Sequence, residues 1–351
     1  IFYMINHQLI CKVLGQLLFL EAVLLMVSLG VSIGYQEDDV FAFLVTIFIT
    51  IGAGLALKWR GHNADNSMSR RDAYLVVSLA WIVFSFFGTF PFLISGYIHS
   101  FTDAYFETMS GFTTTGATII DNVEVLPHGL LFWRSLTQWI GGLGIVFFTI
   151  ALLPSLVGGQ IKVFAAEATG PIKTKLHPRL STSAKWIWSI YIVLTIACIV
   201  SYYFGGMNVF DSFNYAMTTT ATGGFATHNT STEFFHSPTL EYICTLFTFL
   251  SGINFTLLYA AVIKLNIKNL FKNSEFKFYI FLVVVFTAFI MMELMTMRHY
   301  DLEHAFRCGL FQVVSFITTT GLFNDDAATW PHVTWVVLAT CMFFGACSGS
   351  T

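Results

Sequence analysis

Three stretches decide the reading of this chain: FTDAYFETMSGFTTTG at residues 101–116, VFDSFNYAMTTTATGG at 209–224 and FRCGLFQVVSFITTTG at 306–321. They align without a gap and close on Gly116, Gly224 and Gly321. Immediately before each glycine stand Thr113, Thr114 and Thr115; Ala221, Thr222 and Gly223; and Thr318, Thr319 and Thr320. Asp103 and Asp211 share a register near the start, where the third stretch has Cys308, and Ser110, Thr218 and Ser315 supply a hydroxyl at another. Each stretch lies between longer apolar runs, so the repeating unit is helix, short amphipathic segment, Thr/Gly turn, helix. The short segments fall below the roughly 20 residues that a membrane-crossing helix needs, so each dips in and returns on the same side.

The composition around them agrees. Of 351 residues, 56% are hydrophobic and 11% charged, against about 25% charged in an ordinary soluble domain. A net charge of −3 leaves no basic excess, which argues against nucleic acid as a partner. The six cysteines form no CxxC and mostly lie in apolar runs, so neither a disulfide framework nor a zinc site is expected. The first apolar run is too long for the core of a cleaved signal peptide.

Spanning segments are predicted at 9–33, 40–57, 73–97, 130–153, 184–204, 239–263, 278–297 and 332–347. If they alternate, nearly all basic residues fall on one side: Lys12, the interval 58–72 with Lys58, Arg60, Arg70 and Arg71, the interval 154–185 with Lys162, Lys173, Lys175, Arg179 and Lys185, and the interval 264–277 with Lys264, Lys268, Lys272 and Lys277. Only Arg134, Arg298 and Arg307 lie elsewhere. The bias of Lys and Arg toward the cytoplasm then puts the N-terminus inside and the three Thr/Gly turns within segments that enter from an acidic outer face.

Non-helical backbone at membrane depth is tolerated where it is buried in protein or lines a watery cavity. A half-helix entering from outside turns its partially negative C-terminal end toward the middle of the membrane, where it favours a cation. The following turn supplies backbone carbonyls that can replace the water shell of an alkali ion, and glycine permits the positive φ that aims them. Side-chain identity is expected to matter less than glycine position. Thr and Gly also serve as close-packing residues in membrane helices, but packing gives them no reason to recur only at re-entrant turns.

Further motifs make the chain resemble a known family. After the first turn comes LPHGLLFWRSLTQWIGGLGIVFF (126–148), then GGQIKVFAAEATGP (158–171), and the sequence closes on FFGACSGST (343–351). Together these resemble the Trk and Ktr potassium-uptake superfamily, in particular its TrkH-like membrane subunit. The resemblance implies an all-α membrane protein of helix, re-entrant pore helix, helix repeats around a pseudo-fourfold pore. Residues 1–60 would be an N-terminal helix pair, 61–160 and 161–265 the first two repeats, and 266–351 a third repeat incomplete in its second helix, with the fourth absent.

By the same resemblance the twelve turn residues named above match the potassium selectivity filter, and Gly345, Ala346, Cys347, Ser348, Gly349, Ser350 and Thr351 match the start of an intramembrane gating loop. K+ is then the transported ion, with no organic cofactor. The implied setting is a bacterial cytoplasmic membrane, with a homodimer and a cytoplasmic nucleotide-binding regulatory subunit of the TrkA type as partners. Gly345 and Gly349 also form a GxxxG packing pattern. Because the chain stops inside the loop, a truncated, non-conducting structural subunit is the alternative expectation.

An intramembrane serine protease using Ser348 or Ser350 would need a histidine at the same depth. His99, His128, His228, His236, His299, His304 and His332 fall at outer ends or loops, and His7, His62 and His177 on the inner side, so no enzyme is expected. Among the ionisable residues, Glu21 is expected to be packed or snorkelling, Arg134 to be an interface anchor, and Asp103 and Asp211 to be N-terminal caps or dipole partners of the short helices.

Overall fold

The computed structural model describes residues 5–64, 68–144, 180–262, 267–347 and 350–351. The end of the first repeat's second helix, the 158–171 motif, Lys162, Lys173, Lys175, Arg179, Lys264, Ser348 and Gly349 lie outside the described residues. The described elements are helical throughout, and the chain divides into two compact units. Among the described residues, one holds the chain through Thr113 together with 117–144 and 180–188; the other holds Thr114–Gly116 and the residues from Ser189 onward, so all three Thr/Gly turns fall in it apart from Thr113.

The first unit begins with the hairpin α1 (His7–Tyr35) and α2 (Val40–Arg60). Asn6 caps α1 by accepting from the Leu9 amide, and Gly15 and Gly54 let the two backbones approach so closely that a Cβ on either would crowd the other helix. α2 exposes Phe41, Phe48 and Leu55 along one stripe while burying Thr46 and Thr50, whose hydroxyls donate to carbonyls one turn back. This inside-out arrangement suits a lipid-facing helix. Next come α3 (Arg70–Gly88), opened by a capping box between Ser69 and Asp72, α4 (Phe90–Ser95), α5 (Phe101–Phe112) and α6 (His128–Gly141). Glu37, between α1 and α2, holds the start of α6 by accepting from the His128 amide at 2.6 Å and pairing with its Nδ1 at 2.6 Å.

The second unit contains most of α7 (Leu180–Gly205), then α8 (Val209–Thr220), α9 (Pro238–Ser251), α10 (Phe255–Val262), α11 (Ile267–Lys272), α12 (Ser274–Met297), α13 (Leu302–Ile317) and α14 (His332–Phe344). Its core gathers Cys198 and Tyr202 of α7, Tyr215 of α8, Leu240, Cys244 and Phe247 of α9, and Phe311 of α13.

Among the described residues, five helices are long and apolar enough to cross a membrane: His7–Tyr35, Val40–Arg60, Arg71–Ser95, Lys185–Gly205 and Ser274–Met297. The expected span at 239–263 is different. It breaks after Ser251 and bends by 104° into α10, because Gly252 to Asn254 leave the helix there. The expected span at 332–347 is helical only from His332 to Phe344 and stops where Gly345 takes φ 68. Glycine adopts that conformation without a Cβ clash.

Candidate functional site

The three re-entrant helices are α5, α8 and α13, each opened by a side-chain cap. Ser100, Asn208 and Asp301 accept from the backbone amides of Asp103, Asp211 and His304. Asp103 and Asp211 are therefore third-position residues, not the caps themselves, and they sit where a carboxylate complements the helix dipole. The third helix is longer than its sequence alignment suggests, 16 residues against 12, because it begins about one turn earlier.

At the other end the three turns share one backbone path. Thr113, Ala221 and Thr318 close their helices near φ −80, with values of −79, −80 and −87. The next residues, Thr114, Thr222 and Thr319, take φ 55, 51 and 55, and after one residue at negative φ, Gly116, Gly224 and Gly321 take 75, 83 and 81. An alternation of φ sign between neighbouring residues turns successive carbonyls toward the same side of the strand. The sequence accounts for the glycines. The threonines are the surprise, since a β-branched residue at positive φ is an outlier that costs roughly 1–2 kcal/mol.

Two of the turns show what offsets that cost. The Thr222 amide donates to the Thr219 carbonyl (3.2 Å) and the Gly223 amide to Thr218 (2.9 Å); likewise Thr319 donates to Phe316 (3.1 Å) and Thr320 to Ser315 (2.8 Å). These are Schellman closures, which satisfy the last carbonyls of a helix through a left-handed residue just past its end. The hydroxyls of Thr222 and Thr319 donate to the carbonyls of Ala221 (2.8 Å) and Thr318 (2.7 Å). Side-chain identity is expected from sequence to matter less than glycine position, yet threonine recurs at this register in all three turns.

The second and third turns abut. A Cβ on Gly224 would overlap the Thr320 carbonyl oxygen, whereas one on Gly321 would meet open space. Beyond the turns, the Thr232 amide and hydroxyl both donate to the Phe323 carbonyl, and the Phe323 amide donates to the Ser231 hydroxyl at 3.3 Å.

One register of the re-entrant helices braces the strand leaving each turn, a feature the sequence reading missed. Glu107 accepts from the Thr118 hydroxyl (3.0 Å) and the Ile119 amide (3.1 Å). Tyr215 donates its hydroxyl to the Ser231 carbonyl (2.8 Å), and the Gln312 amide group reaches the Asp325 carbonyl (3.5 Å). The side chains differ in chemistry, so no shared residue type marked the position. Arg134 is no interface anchor: 2% exposed, it donates from Nε to Glu107 at 2.9 Å and completes the brace of the first turn. Glu21 does not snorkel; it is fully buried within α1.

In the second repeat, Asp211 also ties helix to strand, accepting from the Thr227 hydroxyl (2.6 Å) and pairing with His228 Nε2 (3.2 Å). Burial pushes its carboxyl up, but the hydrogen bonds from His228, Thr227 and Asn208 outweigh that and hold it below the usual carboxylate range.

The segment that follows α14 meets the break after α9. The Cys347 amide donates to the Gly252 carbonyl at 3.0 Å, and the amide and hydroxyl of Thr351 reach the Ser251 carbonyl at 3.4 and 3.1 Å. A Cβ on Gly252 would in turn crowd the Tyr279 hydroxyl and the Cγ2 of Thr318, the C-cap of the third re-entrant helix.

The family model described as TrkH, cation transport protein, matches residues 39–351. The Trk system potassium uptake protein TrkH of Escherichia coli K12 is 35% identical over 351 residues, covering 99% of this chain and 72% of its own. TrkG of the same organism is 37% identical over 345 residues, covering 96% of this chain and 70% of its own. The crystal structure of the potassium transporter TrkH from Vibrio parahaemolyticus superposes with a TM-score of 0.85 at 35% identity, covering 98% of this chain and 71% of that one. With the family model spanning most of its length and relatives above one-third identity, the chain belongs to the TrkH family of cation transport proteins.

Proposed function

We propose that this chain takes up potassium through a filter of backbone carbonyls at its three Thr/Gly turns. The observation that carries the reading is the alternation of φ sign, repeated in register at residues 113–116, 221–224 and 318–321. Aligned carbonyls form a cage for a dehydrated alkali cation, and the helix C-termini behind them add favourable negative potential. The bracing residues Glu107, Tyr215 and Gln312 hold the strands that leave the turns, which is what a filter needs to keep its geometry as ions pass. The three repeats are taken as 61–160, 161–265 and 266–351, after a helix pair at 1–60.

Gly345, Ala346, Cys347, Ser348, Gly349, Ser350 and Thr351 form the gate in this reading. Support comes from the hydrogen bonds that seat Cys347 and Thr351 on the carbonyls of Gly252 and Ser251, directly behind Thr318. A loop held by a few backbone bonds against a helix break can detach without unfolding a helix. Deleting it should raise basal flux per folded molecule, whereas loss of a mere packing face would lower folding yield instead.

The setting is a bacterial cytoplasmic membrane with the N-terminus inside, a homodimer, and a TrkA-type nucleotide-binding subunit on the lysine-rich side. A cysteine at Lys268 should resist an impermeant thiol reagent applied outside, and one at Asp121 should react, once the native cysteines are replaced. The functional test is rescue of a bacterium lacking potassium uptake by the gene encoding this chain, read as growth at limiting potassium and rubidium uptake. Failure of a correctly inserted protein to carry either ion, with its regulatory partner present, would overturn the proposal.

A further inference from the structure

The first turns of α13, away from the filter residues, carry a group of side chains that neither filter nor gate uses. His304 and Cys308 stand one turn apart on that helix, and Asp325 follows Gly321 on the strand leaving the third turn. One donor atom from each lies within 4.8 Å of the others. The second repeat occupies the matching positions with Asp211 and His228, which pair directly at 3.2 Å. The third repeat has changed that helix-to-strand tie into a constellation of imidazole, thiol and carboxylate.

We propose that His304, Cys308 and Asp325 bind a thiophilic divalent transition metal of the zinc class, which ties the third re-entrant helix to the strand leaving its turn. A nitrogen, a sulfur and an oxygen donor select zinc or cadmium over potassium, magnesium or calcium, which take oxygen ligands. Zinc bonded at its ordinary distances to a tetrahedral shell sets its ligands about 3.5 Å apart. With the donor atoms already within 4.8 Å of one another, the constellation needs to close by no more than about an ångström.

The surroundings orient two of the ligands in advance, as the outer shell of a metal site does. Asp325 Oδ2 accepts from the Tyr300 hydroxyl and the Trp330 indole, both at 3.0 Å. The Tyr300 ring stacks on His304 with centroids 4.3 Å apart, so one phenol positions both. The Asn324 amide group lies 3.7 Å from the Cys308 sulfur and is itself held by Glu241. Binding exchanges the S–H bond for a sulfur–metal bond and releases the proton to solvent, with no change of oxidation state. Three protein ligands leave a fourth position for water.

The inference stands apart from the potassium reading and is tested without transport. Protein purified without an affinity tag and stripped with chelator is titrated with Cd2+. The expected result is an ultraviolet thiolate-to-cadmium band that saturates at one ion per chain and is displaced by Zn2+ but not by excess Mg2+ or K+. Cys308→Ser should abolish the band. His304→Ala, which alters a partly exposed ligand and leaves the buried Cys308 in place, should weaken Zn2+ binding about tenfold or more. X-ray absorption at the zinc edge of the unmutated protein should find one sulfur among lighter ligands. A band that persists in Cys308→Ser, a zinc shell without sulfur, or no binding at micromolar metal would each overturn the site.

Discussion

Replacing Gly224 and Gly321 one at a time with alanine separates backbone strain from direct contact between turns. Both residues sit at positive φ, 83 and 81, so either alanine costs roughly 1–2 kcal/mol of left-handed strain. If that strain is relieved by distorting the filter, a step of 1.4 kcal/mol corresponds to about tenfold in selectivity. Gly321→Ala meets nothing further, because its Cβ would project into open space. Gly224→Ala drives its Cβ into the Thr320 carbonyl oxygen, which is backbone and must retreat by on the order of an ångström to restore ordinary contact. That carbonyl belongs to the filter in this account, so Gly224→Ala should lose potassium preference altogether or fail to conduct, while Gly321→Ala should conduct with preference reduced about tenfold. The assay is the reversal potential under opposed potassium and sodium, normalised to folded protein by size-exclusion chromatography. Equal effects, or a benign Gly224→Ala, would refute the adjacency of the second and third turns.

Gly116→Ser should likewise weaken potassium selectivity, since its φ of 75 is unfavourable for serine; an unchanged reversal potential would remove Gly116 from the filter. Arg134→Ala leaves the buried Glu107 carboxylate without its counter-charge and should cost about 3–5 kcal/mol, read as a large fall in the thermal midpoint of the detergent-solubilised protein; an unshifted midpoint would refute the brace. Asp211 has a folded pKa below the unfolded value of about 3.9. Its contribution is present above that value and disappears as the pH falls through the lowered one. The stability gap between wild type and Asp211→Asn should therefore narrow below about pH 4, and a gap independent of pH there would show that the carboxylate charge is not what ties α8 to its strand.

Much of this architecture was legible because membrane burial leaves strong marks. Apolar runs marked five of the eight expected spans, and the three in-register turns follow one backbone path. What stayed hidden depends on conformation or on distant pairing. Thr114, Thr222 and Thr319 stood at one register in plain view, yet threonine is so disfavoured at positive φ that the pattern pointed to the glycines alone. Glu107, Tyr215 and Gln312 share a bracing position but no chemistry, so alignment could not connect them. The break after Ser251 lies in a run as apolar as any unbroken span, and its partner, Cys347, comes from far along the chain. The nearness of His304 and Cys308 to Asp325 was hidden as well, because the carboxylate reaches them from the loop after the third turn and no CxxC spacing marks the group.

Rubidium-edge anomalous diffraction from crystals grown in Rb+ tests the central claim most directly. Anomalous density is expected on the axis lined by the carbonyls of residues 113–116, 221–224 and 318–321, at contact distance from those oxygens, and it should be lost in Gly224→Ala. Rb+ density confined to other parts of the protein, with the three turns empty, would contradict it.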